Sequence, residues 1–311
     1  IGLLLTVATI VNAQSVTWIS STEGNVWQKS KVKLQSKSEQ NPVLQVDGTE
    51  NGVAFKNWGT TFNELCWDAL GLLTRTEQDE ILYNIFSPQG DLRITRGRIS
   101  MGANDYARSW YSCDEVEGDF ELRYFNINRD KQTIIPFIRA AQKYNPNLTF
   151  WISPWCPPSW MKINGDYPVL SSPFNSLSEK QNYLLYGATG GQVDENEMKL
   201  TGARDGVFPR QLATTDFMIQ DPRYLQTYAD YFCRFIDAYK EQGIPIDMVM
   251  YQNEAYSYTP YPGCAWTATG TIRFNKEYLA PTLRQMHPEV KLYLGLSLIH
   301  ISEPTRPEPI S

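Results

Sequence analysis

Apolar and polar positions change rhythm near Val53. From residue 15 to 50 they alternate in short pieces, such as Val32-Lys33-Leu34 and Val43-Leu44-Gln45-Val46, with Asp47-Gly48 as a turn signal. That pattern predicts strands of a small β appendage. Beyond it, strand and helix periods take turns. Val53-Ala54-Phe55 with Trp58-Gly59-Thr60 predicts a buried strand breaking into a glycine turn. Thr74-Arg75-Thr76-Glu77 forms a capping box ahead of Ile81, Leu82, Ile85 and Phe86 at helical spacing; Gly90 stops that helix, and Leu92–Ile99 is the next strand. A helix over Thr133–Tyr144 and a strand over Leu148–Ser153 follow. Asp221-Pro222 then caps a helix with Leu225, Tyr228, Phe232, Phe235, Ile236 and Tyr239 on one face and Gly243 at its end. A strand over Met248–Gln252, a helix around Phe274–Met286 and a strand over Val290–Leu294 complete the series.

Strict alternation of strand and helix implies parallel strands joined by helical crossovers. The expected fold is therefore α/β: an incomplete (β/α)8 barrel, its first five strands, with N-terminal strands of a small β side domain. Residues 14–50 are assigned to the side domain and 51–295 to the barrel. Ser171–Gln220 breaks the alternation and reads as an insertion at the catalytic end of the third strand, either a lid or binding loop or a solvated excursion. Residues 1–13 resemble the apolar core of a secretory signal, with cleavage expected after Ala13. Secretion, or a periplasmic or cell-surface location, is expected. Residues 296–311 resemble a translated sequencing adaptor and are expected to be a non-native tail, with the native sequence stopping near Gly295.

Composition then narrows the ligand. Nine Trp and eighteen Tyr, within an aromatic share of 13%, exceed what packing alone usually asks for, and sugar rings stack on such side chains. The net charge of −6, without a Lys/Arg cluster, argues against a nucleic-acid partner, and nothing past the first residues is apolar for long enough to span a bilayer. Five widely spaced cysteines allow at most two intrachain disulfides and define no zinc site. With His287 and His300 the only histidines, metal hydrolysis and Ser/His or Cys/His catalysis are poorly supplied, and no cofactor is called for.

Three strand ends carry the groups a sugar site needs. They are Arg98 to Tyr106, Ser153-Pro154-Trp155-Cys156-Pro157-Pro158-Ser159-Trp160-Met161-Lys162, and Asn253-Glu254, the last at the end of an apolar strand. In a barrel, side chains at the carboxyl ends of strands converge on one face, which makes Glu254 the candidate proton donor. Its acid would have to stay protonated near neutral pH, with Trp155, Tyr256 and Trp266 as candidate apolar surroundings. The plainer alternatives are a salt-bridged strand-end carboxylate for Glu254, an Asx turn for Asp105, core packing for Trp155 and especially Trp160, and internal charge neutralisation for Arg98.

From about Phe55 to Gly295 the sequence resembles family 30 of the glycoside hydrolases, which holds glucosylceramidases, β-1,6-glucanases and related retaining β-glycosidases. The Ser-Pro-Trp-x-x-Pro-x-Trp-Met-Lys stretch with the later Asn-Glu carries the resemblance. It implies that Glu254 is the acid/base, that Asn253 contacts the sugar 2-hydroxyl and that Asp105 holds sugar hydroxyls. It also implies that Arg98 supports the site and that Trp155 lines the subsite of the sugar being cleaved. The family's nucleophile is a Glu at the end of the seventh strand, which no residue here matches. Ala255 stands where a proline often follows the glutamate, and Asn57-Trp58-Gly59-Thr60 replaces a Gly-rich first-strand end. A non-catalytic glycan-binding barrel and an endo-acting xylanase or cellulase remain the alternatives.

Overall fold

The structure, a computed structural model, describes residues 15–33, 57–177, 216–255 and 258–294. The signal-like segment, the strand expected at Val43–Val46, Val53–Phe55, Tyr256, most of the Ser171–Gln220 insertion and the adaptor-like tail lie outside the described residues. The chain divides into two units, Ile1–Phe55 and Lys56–Ser311. In the first, β1 (Ser15–Thr22) and β2 (Asn25–Lys33) pair antiparallel. Gly24, at φ +76°, takes the left-handed position in the two-residue turn between them.

The second unit is built on five parallel strands in sequence order: β3 (Gly59–Phe62), β4 (Arg96–Ser100), β5 (Thr149–Ser153), β6 (Ile246–Met250) and β7 (Lys291–Tyr293). The expected partial barrel is therefore present. Helices α1 (Glu64–Gly71) and α2 (Arg75–Phe86) fill the first crossover, α3 (Ile134–Gln142) the second and α4 (Pro222–Glu241) the third. In the fourth, α5 (Ala268–Arg273) runs through a π segment, Phe274–Leu279, into α6 (Ala280–Met286). Pro281 has no amide for an i−4 bond, which accounts for the widened turn before it. Among the described residues no helix is long and apolar enough to cross a membrane.

Side-chain parity on the strands separates two faces. Phe62, Ile99, Phe150, Ile152 and Val249 are fully buried, and the Phe62 ring packs against Phe86, Phe137 and Phe150 with centroids 5.7, 4.8 and 6.0 Å away. This is the helix-facing core. Gly97 lies beneath it, and a β-carbon there would come within 2.5 Å of the Phe62 ring and 2.8 Å of the Phe150 ring. The other face carries Arg96, Arg98, Thr149, Trp151 and Ser153.

Several expected boundaries move. Gly59 opens a strand rather than breaking one, because the buried anchor is Phe62, while Trp58 is 63% exposed. Leu92–Thr95 lies outside β4: Leu92 is exposed and Arg93 sits at φ +53°. The helix before it ends at Phe86 with Ser87 as its cap, so Gly90 belongs to the following turn, where a β-carbon would lie 2.4 Å from the Tyr83 carbonyl oxygen. The fourth barrel strand runs Ile246–Met250, two residues earlier than expected, which leaves Glu254 in the loop beyond it. The end of the insertion is no solvated excursion, since Phe217 and Met218 are fully buried and Met218 pairs with Lys162. Helix α1 was not anticipated, and all five cysteines are free thiols. The Thr74–Glu77 capping box and the Asp221 cap form as expected.

Candidate active site

Arg98 is the hub of the inner face. It projects from β4 beside Trp151 and Ser153 of β5, and its register partner is Trp151. Its Nε and Nη2 donate to Ser153 Oγ at 2.9 and 2.8 Å, and Nη2 donates to Asn253 Oδ1 at 2.7 Å. The guanidinium carbon lies 4.0 Å from the centroid of the Trp155 ring and 4.9 Å from that of Trp151. A planar fork that stacks and bonds at once is a task lysine cannot perform. Burial lowers the Arg98 pKa to about 10, and the negative charges of Asp105 and Glu254 oppose that loss.

One layer below, Arg96 does the charge neutralisation considered for Arg98. It forms a two-pronged ion pair with Asp247, one arm at 3.1 Å. Asp247 is the residue left unpaired where the β5–β6 register shifts between Ile246 and Met248. Arg98 is thereby released for the layer above.

The Gln252–Glu254 loop is clipped to the Pro154–Trp155 loop. The Asn253 amide donates to the Pro154 carbonyl at 2.8 Å, and Gln252 Nε2 donates to the carbonyls of Trp155 at 2.7 Å and Asn253 at 2.9 Å. Gln252 Oε1 accepts from Trp266 Nε1 at 3.2 Å, so this fully buried amide is spent on both ends. Asn253 Oδ1 is committed to Arg98, which makes its amide nitrogen the end available to a sugar hydroxyl. Glu254 follows, half-buried, at φ +47°. A non-glycine residue there costs about 1–2 kcal/mol, strain of the kind that collects at functional sites.

Asp105 is exposed at the loop after β4. Loss of neighbouring water raises its carboxyl pKa, an effect that its own backbone amide and Arg98 partly offset. The Asx turn of this loop is made instead by Asn104, whose Oδ1 accepts from the Tyr106 amide at 2.8 Å. Trp155 is 6% exposed and lies under the guanidinium. Trp160 is core: its Nε1 donates to the Asp114 carbonyl at 3.1 Å and its ring meets Phe120 at 5.4 Å. Trp266 is core as well, stacked 5.2 Å from Phe274.

Arg98, Trp155 and Asn253 therefore form one cluster, with Asp105 and Glu254 close enough for their charges to act on it. The sequence reading missed Trp151, which shares strand parity with Ser153, and the Arg96–Asp247 pair. It also missed Tyr261, a half-buried phenol whose pKa is pushed up to about 12 by burial and by the charges of Glu254 and Asp105. A run of tyrosines in a proline-rich loop was its only signal.

Residues 55–172 match the model of the glycosyl hydrolase family 30 TIM-barrel domain. The chain is 28% identical over 291 residues to the candidate glucosylceramidase 3 of Caenorhabditis elegans, covering 89% of this chain and 46% of that protein. It is 25% identical over 252 residues to the endo-1,6-β-D-glucanase neg1 of Aspergillus fumigatus, covering 79% and 45%. Among solved structures, SrfJ from Salmonella typhimurium superposes with a TM-score of 0.61 at 19% identity, over 89% of this chain and 52% of that one. The chain spans about half the length of the relatives it matches.

Proposed function

We propose that this chain, whose residues 55–172 match the glycosyl hydrolase family 30 TIM-barrel model, belongs to that family and carries the acid/base part of a retaining β-glycosidase site acting on β-linked glucosyl or related glycans. Glu254 protonates the leaving oxygen and later deprotonates the water that releases the sugar. Asp105, Trp155 and Asn253 hold the sugar, and Arg98 orients Asn253. A retaining site needs a second carboxylate about 5 Å from the first to attack the anomeric carbon, and the five described strands leave the seventh-strand position to be filled.

The observation that carries this reading is the Arg98 hub. It bonds Asn253 at 2.7 Å and stacks on Trp155, and Glu254, next in the chain at φ +47°, is close enough for its charge to act on the guanidinium. The clip between residues 252–253 and 154–155 ties the loop after β6, which carries Glu254, to the loop after β5, which carries Trp155. The apolar run Ile1–Val11 supports export as the route to a glycan outside the cytoplasm.

The test is to assay the full-length protein on aryl β-glucosides and β-1,6-glucan while following product anomers by NMR. The β anomer should appear first. Release of the α anomer first would rule out retention. Sugar binding without turnover, with Asp105→Ala and Trp155→Ala each abolishing it, would instead favour the glycan-binding alternative.

A further inference from the structure

Lys162 closes the Ser153–Lys162 stretch but takes no part in the Arg98 cluster. Its side chain is 2% exposed. Nζ donates to the carbonyls of Tyr167 at 2.7 Å and Pro168 at 3.2 Å, and it lies 6.0 Å from the Phe217 ring centroid with the thiols of Cys156 and Cys264 nearby. None of these partners is a carboxylate, and a buried ammonium without one is unfavourable. Nor do the two carbonyls depend on it. The Gly263 amide also donates to Tyr167 O at 3.1 Å, and Asn164 Nδ2 to Pro168 O at 2.8 Å. Removing the ammonium would orphan neither, so stability alone does not explain the lysine.

What Lys162 does is gather a loop. By drawing two successive carbonyls to one point it fixes residues 167–170, and these carry the segment 259–263. The amides of Val169 and Leu170 both donate to Thr259 O, at 2.9 and 3.0 Å, the Gly263 amide reaches Tyr167 O, and Asn175 Nδ2 donates to Pro260 O at 3.0 Å. Tyr261 sits in the middle of that segment, its carbonyl accepting from Thr259 Oγ1 at 3.0 Å and its phenol within reach of the charges of Glu254 and Asp105. A clasp of two loops, pinned by one ammonium, thus holds the segment that carries Tyr261.

We propose that Lys162 is a positioning residue for proton donation, holding the 167–170 and 259–263 loops so that Tyr261 is set against Glu254. The inference rests on Glu254 being the acid. A merely structural lysine would affect all substrates alike and lower the thermal midpoint. A positioning lysine should show itself where protonation of the leaving group limits the rate.

The experiment uses the full-length enzyme and aryl β-glucosides spanning good and poor leaving groups, with Lys162→Met, Lys162→Gln, Tyr261→Phe and the Lys162→Met/Tyr261→Phe pair. Lys162→Met should lose about 10-fold or more in kcat/KM on poor leaving groups and less than about 3-fold on activated ones, the signature of weakened general acid help. Its thermal midpoint and its affinity for an iminosugar should stay at the wild-type level. The double variant should lose no more than the worse single variant, because the two residues act in one chain. Should Lys162→Met not fold, Lys162→Gln, which keeps a donor but no charge, gives the same reading. Equal losses on both substrate kinds, unchanged rates, or additive losses with Tyr261→Phe would overturn the proposal. Glu254→Gln in the same series separates the two ideas. If it lacks the leaving-group split, the acid assignment itself fails; if it alone shows the split, only the role of Lys162 falls.

Discussion

Arg98→Lys keeps a positive charge in place and removes everything else the guanidinium does. An ammonium is a compact point donor without a planar face, so lysine cannot bond Ser153 and Asn253 in the guanidinium's fork geometry while stacking on Trp155. Under the proposed function, the bond that matters is the one to Asn253 Oδ1 at 2.7 Å, since it would fix which end of that amide meets the sugar. A hydrogen bond to a charged group contributes about 1.5–3 kcal/mol. Stacking on a desolvated indole adds about 1–2 kcal/mol, part of which an ammonium retains. If only the Asn253 bond is lost from the transition state, kcat/KM should fall about 10- to 100-fold at 1.4 kcal/mol per decade. Steady-state kinetics on the full-length enzyme and the affinity of an iminosugar measure it, with Arg96→Lys as the control, because Arg96 serves Asp247 one layer down. The control should lose thermal stability while keeping nearly wild-type turnover. Undiminished kcat/KM in Arg98→Lys, or an equal loss in Arg96→Lys, would show that charge alone suffices and that the hub is misread.

Asp130 is fully buried, accepts hydrogen bonds from Tyr111 and Tyr239 at 2.7 Å each, and has its pKa raised to about 6, chiefly by burial. A raised acid pKa means that the folded state holds the proton longer than the unfolded chain, so its stabilisation is complete below about pH 4 and is lost as pH rises through about 6. The loss is about 3 kcal/mol over that window, at about 1.4 kcal/mol per pH unit. Urea titrations from pH 4 to 7 should show this dependence shrinking in Asp130→Asn, and an unchanged slope would refute the assignment. Gly97→Ala would push a β-carbon to within 2.5 Å of the Phe62 ring. It should destabilise by about 1–3 kcal/mol through overpacking, and a neutral effect on the urea midpoint would mean that the core is looser than described.

How far the sequence reached depended on how local each cause was. The helix at Pro222–Glu241 is legible because twenty residues carry one apolar stripe between an Asp-Pro cap and a glycine stop, all six of its expected face residues being buried. Helix Glu64–Gly71 escaped because two turns give too short a period, although Asn63 caps it by accepting from the Cys66 amide at 3.0 Å. Strand ends shifted by two to four residues because pairing partners set them, as when Ile246 rather than Met248 opens β6 opposite Phe150. Arg98, Trp155 and Asn253 share one cluster, with Asp105 and Glu254 near enough for their charges to act on it, since strand-end motifs announce themselves locally. Their mutual bonds could not be read, because Arg98 and Asn253 lie 155 positions apart, as could not the Arg96–Asp247 pair at 151. Lys162 and the segment around Tyr261 are joined by loop-to-loop bonds that only three-dimensional register supplies.

The central claim is that Glu254 donates the proton, and the most direct measurement is the leaving-group dependence of Glu254→Gln in the full-length enzyme. On β-glucosides with poor leaving groups the variant should lose about 10²- to 10⁴-fold in kcat/KM, while on activated aryl β-glucosides the glycosylation step should be nearly unaffected. Equal losses across the series, or none, would contradict the account.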